Sequence, residues 1–412
     1  MKRKAVCWLG IFILLTATTC GAEPVYDVSY SARIIPTKRE AAVAVHVVQP
    51  DNFLRSLRFT IDPERHRDFK GDGTIEQGED FVEWKPPRKG GVLRYTFRID
   101  RLRDARSYDA RCAANWAIFR GDNLIPPASA TTRRRARSRA YLRLRVPEGW
   151  TAVTRYPATK NGRYLLKNPE RGFVRPTGWI IAGSRIGVVR ETVAGTRVTI
   201  AAPVGHGLRR LDILAMLRWT LPELRDILGK SSPRLLVVGA EDPMWRGGLS
   251  GPASMYIHAN RPLLTPDTTS PLLHELLHTV LPPGASPQDD WIVEGLAERY
   301  GLELLVRSKT IGQARYKRAM ARLAREGRGA GSLTAGEANG HVTSRAVKIL
   351  GLLDSEISEA TNGAKSLDDV VRVLVQKDEE LSAASLRAVA EEVAGISFEG
   401  FFKRQGLRST GR

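Results

Sequence analysis

Two histidines four residues apart in a leucine-rich run are the side chains of this sequence best spaced for chemistry. The stretch reads SPLLHELLHTVLPPG, from Ser270 to Gly284, with His274 and His278 on either side of Glu275. On a helix, positions i and i+4 share a face, so both imidazoles can reach one ion while Glu275 projects alongside to hold a water. A buried apolar helix carrying two satisfied histidines would have the same spacing. The next segment weighs in favour of the ion. Sixteen residues after His278 comes Glu294, in DDWIVEGLAERYG, where Asp290 is placed to cap a helix and Trp291, Leu296 and Tyr300 give it apolar contacts. Gly295 costs about 1 kcal/mol relative to alanine inside a helix, which points to a second helix passing close beside it. Two imidazoles and a carboxylate make a three-ligand zinc site with an open fourth position. Glu298, one turn beyond Glu294, can bond the second nitrogen of a ligand histidine. Zinc lowers the pKa of its water to about 7 and polarises a carbonyl oxygen; Glu275 would take the proton and pass it to the leaving amine. That chemistry is hydrolysis of a peptide or amide bond.

The elements that must position these residues can also be read. TVLPPGASPQD, with three prolines and a glycine, is long enough to turn the chain back from the histidine helix to the Glu294 helix. In TLPELRDILG, Thr220 and Glu223 form a capping box, Pro222 sits in the first turn and Gly229 stops the helix. RLLVVGA near 234–240 and SMYIHA read as strands, and from 270 to about 405 the pattern is helical. In GGLSGPASMYIHA, the glycines around Gly248, Ser250 and Gly251 let a substrate backbone approach an edge strand. Residues 24 to about 205 alternate in the manner of strands, punctuated by turns such as KGDGT and PPRKGG. DFKGDGTIEQGE, Asp68 to Glu79, has the offsets of a calcium loop, but Lys70 stands where a ligand oxygen belongs, which favours a plain glycine turn. The expected architecture is multidomain α+β: a leader at 1–22, a β-sandwich-like domain at 23–205, and a mostly helical zinc peptidase domain at 206–412.

The bulk properties bound the setting. The 412 residues suffice for two or three domains, and 42% apolar with 26% charged residues is ordinary for a soluble globular chain. Lys2, Arg3 and Lys4 precede the apolar run AVCWLGIFILLTATT, and CGA supplies small residues before Glu23, the pattern of a signal peptide cleaved after Ala22. Cys20 is an alternative lipid-anchor position, without the usual leucine pattern before it. The expectation is a periplasmic or secreted protein. No later stretch is apolar for long enough to cross a membrane. After cleavage one cysteine, Cys112, remains, so an internal disulfide is excluded. The net charge is +20, with arginine clustered in TTRRRARSRAYLRLRV at 131–146. This cluster reads first as a solvated strand edge that resists pairing, and otherwise as a surface for an anionic envelope component. The expected partner is a peptide or protein substrate, not nucleic acid.

These residues resemble the glycyl aminopeptidase family of gluzincin (HExxH…E) zinc metallopeptidases, relatives of the membrane-alanyl aminopeptidases. HELLH with WIVEGLAERYG resembles the family's zinc site. VPEGW with NPERGFVRPTGWIIAG, near 146–187, looks like its β-domain. LLDSEISEATNGAKSLDDVVRVL, in 352–374, looks like the segment after its catalytic tyrosine. The resemblance implies a thermolysin-like catalytic domain, zinc as cofactor, His274, His278 and Glu294 as ligands and Glu275 as base. Two departures stand out. Counting back from Asp354, the family's Tyr-x-Lys-Gly place reads TSRA, with Thr343 for the tyrosine and Arg345 for the lysine. His341, Arg345 or Tyr256 would then have to donate to the oxyanion; His341, in ANGHVTS, otherwise reads as an exposed loop histidine. The family's glycine-rich phrase also carries a glutamate that binds the substrate amine, and GGLSG has none, leaving aminopeptidase and endopeptidase both open. The alternative is a catalytically weak relative, with His341 or His258 as fourth ligand of a structural zinc and a basic β-domain that binds a partner.

Overall fold

The computed structural model describes residues 24–133, 135–167, 173–229 and 232–407; the expected leader, with Cys20, lies outside them. Among the described residues no helix is long and apolar enough to cross a membrane.

Period-two alternation builds the N-terminal half. Strand Val25–Ile35 buries Tyr26, Val28, Tyr30, Ala32 and Ile34 and turns Asp27, Ser29, Ser31 and Arg33 outward. It lies in a six-stranded sheet ordered Tyr164–Leu166, Arg137–Arg145, Val25–Ile35, Glu40–Val48, Gly90–Arg98, His66–Gly71. The arginine-rich strand is therefore not an edge, contrary to expectation. Arg137–Arg145 pairs in parallel with Val25–Ile35 over nine positions and with Tyr164–Leu166 on its other side. Its arginines reach water because they occupy alternate, outward positions, while Ala140 and Leu142 face the core. A four-stranded sheet, ordered Ala128–Thr132, Leu54–Thr60, Phe81–Lys85, Thr74–Gln77, shares that core through Phe59, Val82 and Trp84. The calcium-loop-like segment is where the chain passes from one of these sheets to the other. Gly73, at φ +82°, makes the turn against the Lys85 carbonyl, and Asp72 Oδ2 accepts from the Val92 N–H at 2.9 Å.

A third sheet contains Thr151–Thr154, Trp179–Gly183, Trp116–Arg120, Tyr108–Cys112 and Arg101–Leu102. Its Trp116, Ile118, Trp179 and Ile181 pack on Ala201, Leu236, Val238 and Tyr256 of the sheet that follows. That fourth sheet is ordered Ile186–Val193, Thr196–Pro203, Arg234–Val238, Ser254–Ile257, Gly248–Gly251, and its central pairs are parallel. Val198, Ile200, Val237, Met255 and Ile257 on its opposite face bury against helices. Covered on both faces, the central strands read as continuous apolar runs. The junction expected near 205 thus falls inside one sheet.

A four-residue helix, α1 (Gly121–Leu124), follows the Trp116–Arg120 strand; the remaining helices are α2 (Arg210–Leu228), α3 (Pro271–His278), α4 (Asp290–Arg307), α5 (Gln313–Glu326), α6 (Gly340–Ala360), α7 (Leu367–Lys377), α8 (Ala383–Ala394) and α9 (Glu399–Arg404). The sequence placed the start of α2 at Thr220; it begins ten residues earlier and runs through Pro222 to Gly229, which stops it at φ +69°. Thr220 is not a cap: it is buried and donates its hydroxyl to the Met216 carbonyl at 2.9 Å. The apolar face carried by Leu217, Leu221, Leu224 and Leu228 outweighs the one helical bond that the proline removes.

Candidate metal centre

Helix α3 is short and well defined by its ends. Ser270 accepts the Leu273 N–H on its hydroxyl at 3.3 Å, and Pro271 follows in the first turn, where its missing N–H costs nothing. Leu272, Leu273, Leu276 and Leu277 are buried, each contributing about 1.5–3 kcal/mol. Their burial fixes which way the opposite face, bearing His274, Glu275 and His278, must point. The return loop is pinned where the Pro283 carbonyl accepts from the Leu381 N–H (2.7 Å) and the Ala285 N–H donates to the Leu381 carbonyl (2.8 Å). Asp290, expected as a cap, is the first residue of α4 instead. Its Oδ2 accepts from the Ala338 N–H at 2.9 Å and so anchors the segment leading into α6. Trp291, Leu296 and Tyr300 are buried as expected, and Gly295 is where α6 crosses. A Cβ on Gly295 would stand 2.6 Å from that of Ala346.

The two helices bring three ligand groups to one point. His274 Nε2 and His278 Nε2 are 3.0 Å apart, and each lies 3.2 Å from a different oxygen of Glu294. At zinc bond lengths of 2.0–2.1 Å, neighbouring ligands of a tetrahedral ion stand about 3.3 Å apart. The triangle fits such an ion closely. Among the described residues it is the one group of three or more His, Cys, Asp or Glu side chains whose ligand atoms converge within 4.8 Å. Glu298 Oε2 stands 3.2 Å from His274 Nδ1, the position from which it fixes tautomer and ring orientation. Glu298→Ala should therefore weaken zinc affinity by about 10–100-fold in a competition titration while the fold persists.

The electrostatics match. Burial works against a charged His274, but the carboxylates of Glu294 and Glu298 outweigh it and lift the imidazole to about 10. Burial likewise pushes Glu294 up, and the two imidazoles reverse it, holding the carboxyl well below its usual range. A field that holds a proton this firmly also favours a divalent cation in its place, and metal uptake must expel the proton. Glu275 is raised by burial, opposed by the imidazoles and by the Ser250 N–H that its carboxylate accepts.

The strand Gly248–Gly251 is the free edge of the fourth sheet and passes directly beside Glu275. A Cβ on Gly248 would lie 2.5 Å from Glu275 Cγ, so only glycine lets the strand come this near. The Gly247 carbonyl accepts from the His258 N–H (3.0 Å), so in the antiparallel alternation the backbone groups of Gly248 and Ser250 face away from the sheet. The Ser250 carbonyl accepts from Arg120 Nη1 at 3.1 Å. Arg120 is itself paired with Asp122, whose other oxygen accepts from the Gly178 N–H at 2.6 Å. Trp179 Nε1 donates to the Leu249 carbonyl (2.9 Å). Sequence reading missed Arg120, Asp122 and Trp179 as supports of this strand. Trp179 lay inside a quoted phrase, but nothing local to Arg120 or Asp122 signals a contact with Ser250, 130 residues beyond Arg120.

The other named residues are engaged elsewhere. His341, exposed at the start of α6, has its Nδ1 3.1 Å from the Glu326 carbonyl. Arg345 donates to the Gly331 carbonyl at 2.7 Å, and Thr343 lies in the first turn of α6. Tyr256 is buried against Trp179, ring centroids 5.5 Å apart, and donates its hydroxyl to the Trp245 carbonyl at 3.1 Å. His258 is buried, its Nε2 3.3 Å from Asp242 Oδ1. Neither His258 nor His341 belongs to the three-residue cluster.

No family model and no curated protein matches the chain. Its fold is similar to that of a solved structure, an aminopeptidase N family protein from Idiomarina loihiensis, with a TM-score of 0.70 over 92% of this chain and 75% of that one, at 13% identity. At that identity the likeness is one of fold: a multidomain chain with a sheet-rich N-terminal region and a helical C-terminal region arranged as in an aminopeptidase N family protein.

Proposed function

We propose that this protein is a zinc metallopeptidase, exported by the leader read at 1–22. The observation that carries the proposal is the convergence of His274, His278 and Glu294 with Glu275 set between them and an edge strand. The fold likeness to an aminopeptidase N family protein supports the same reaction class.

His274, His278 and Glu294 would hold the ion, and Glu298 would orient His274. Bound there, zinc would bring the pKa of a water to about 7 and polarise the scissile carbonyl. Glu275, held against the edge strand at Gly248, would take the proton of the attacking water and deliver it to the leaving amine. A substrate laid along Gly248–Gly251 finds the outward backbone groups of Gly248 directly, and competes with Arg120 for the Ser250 carbonyl. Asp122, which supports that end of the strand through Arg120, is committed to Arg120 and the Gly178 N–H.

The test is hydrolysis of a mixed peptide library by the purified protein, with zinc, with chelator, and with zinc restored. Cleavage lost to chelator and regained with zinc is expected, and the cut positions separate exo- from endo-action. One zinc per chain with no cleavage in any sample would overturn the enzyme reading and leave a metal-stabilised binding protein.

A further inference from the structure

The outward face of the six-stranded sheet is hollowed and lined by four cations, Arg33, Lys70, Arg94 and Arg145, and by one carboxylate, Asp68, which is paired with Arg67. Strand register sets Arg145 directly beside Arg33, and Lys70 directly beside Arg94. Between these two pairs lie Ser31, Ala42, Ala44 and Thr96, all small. Strands are spaced about 4.8 Å apart, so the basic walls stand roughly 10 Å from one another. The trough between them has a volume of about 740 Å³.

Two features set these charges apart from a solvated sheet face. Like charges directly opposite on neighbouring strands are destabilising, and here the sheet carries two such pairs. Two arginines elsewhere on the same face are matched by carboxylates, Arg139 Nε lying 2.6 Å from Asp27 Oδ1 and Arg67 being bound to Glu40 and Asp68, while Arg143 reaches the Asn161 carbonyl. Arg33, Lys70, Arg94 and Arg145 are all exposed and have no acidic partner among the described residues.

We infer that this trough binds an anionic polysaccharide, a single extended chain bearing carboxylate or phosphate groups. Its width admits one polymer strand, and a flat lipid surface does not reach its floor. Single-stranded nucleic acid needs open aromatic faces on which to stack. Here Tyr95 is buried with its hydroxyl bonded to the Leu124 carbonyl, and the Arg163 guanidinium covers the Tyr141 ring at 4.5 Å. The floor strands are paired on both sides and so offer a peptide no edge to extend. The Ser31 and Thr96 hydroxyls instead suit the hydroxyls of a sugar.

The experiment is calorimetric titration of the full protein with oligogalacturonate, phosphorylated dextran and unmodified dextran, at low and at physiological salt. The expected result is binding of one or both anionic glycans, weakened by salt, and none of the neutral one. The preferred probe identifies the anionic group. Substituting Arg33→Ser, Arg94→Ser and Arg145→Ser together should weaken binding at least tenfold and flatten the salt dependence. Removing three exposed charges from α5 (Lys317→Ser, Arg318→Ser, Arg325→Ser) should leave it within twofold. If the trough variant does not fold, the single substitutions Arg94→Ser and Arg145→Ser carry the same comparison. Equal weakening by the two triple variants, no binding of either anionic glycan, or tighter binding of polyglutamate or an oligonucleotide of matched charge would overturn the inference.

Discussion

Exchanging Glu275 for glutamine should lower peptide turnover by about 10²–10⁴-fold while the protein still binds one zinc per chain. The side chain lies against Gly248, and glutamine fills the same space. What glutamine loses is the ability to take a proton. His274, His278 and Glu294 are untouched, so metal content and thermal midpoint should stay at wild-type values. Single-turnover hydrolysis of a library-selected peptide, with metal analysis of the same sample, makes the comparison. Turnover above about a tenth of wild type with zinc in place would move the base to another residue. Loss of zinc as well would mean that Glu275 supports the ion and not the proton transfer.

The second large effect concerns the crossing of α4 over α6. Gly295→Ala would place a methyl 2.6 Å from Ala346 Cβ and 3.1 Å from Leu350 Cδ1. Overpacking of this kind costs about 1–3 kcal/mol, against a gain of about 1 kcal/mol in helix propensity. The residue before it is Glu294, so a shift of α4 away from α6 also displaces a proposed ligand, and on the zinc reading metal affinity should fall with stability. Ala346→Gly restores the space. Denaturant unfolding of both single variants and the double should show favourable coupling of roughly 1 kcal/mol or more, the range for residues in direct contact. Strict additivity would mean that the two helices do not touch there.

The site was more legible in the sequence than the fold around it, for a physical reason. HELLH and Glu294 are set by helical periodicity and by one return loop, which are local properties. The glycine at 295 announced the close helix crossing because a missing side chain inside a helix has few other uses. What escaped was long-range. The parallel pairing of Arg137–Arg145 with Val25–Ile35 joins segments more than a hundred residues apart, and nothing in an alternating pattern names its partner. Helix α2 begins ten residues ahead of its apparent cap because burial of Ile213, Leu214 and Leu217 extends it upstream, and a TxxE pattern reads the same inside a helix as at its start. Asp290 looked like a cap for the same reason. Its acceptor is spent instead on Ala338, a residue no local rule connects to it. Arg120 and Trp179 reach the edge strand only through sheet packing.

The sheet behind the metal centre also constrains how the protein can be taken apart. Two of its strands, Ile186–Val193 and Thr196–Pro203, precede residue 206, and its edge strand is held by Arg120 and Trp179 from the sheet stacked on it. A helical half excised at 206 would carry the three proposed ligands but leave one flank of Arg234–Val238 without its strand partner and Leu236 without the tryptophans that share its core. The two halves are thus not interchangeable cassettes. A transplant of the chemistry into another scaffold would have to bring residues 108–120 and 179–203 with it, and a breakpoint before the Tyr108 strand is no better than one at 205, because it parts Arg137–Arg145 from Val25–Ile35 and Ala128–Thr132 from Leu54–Thr60.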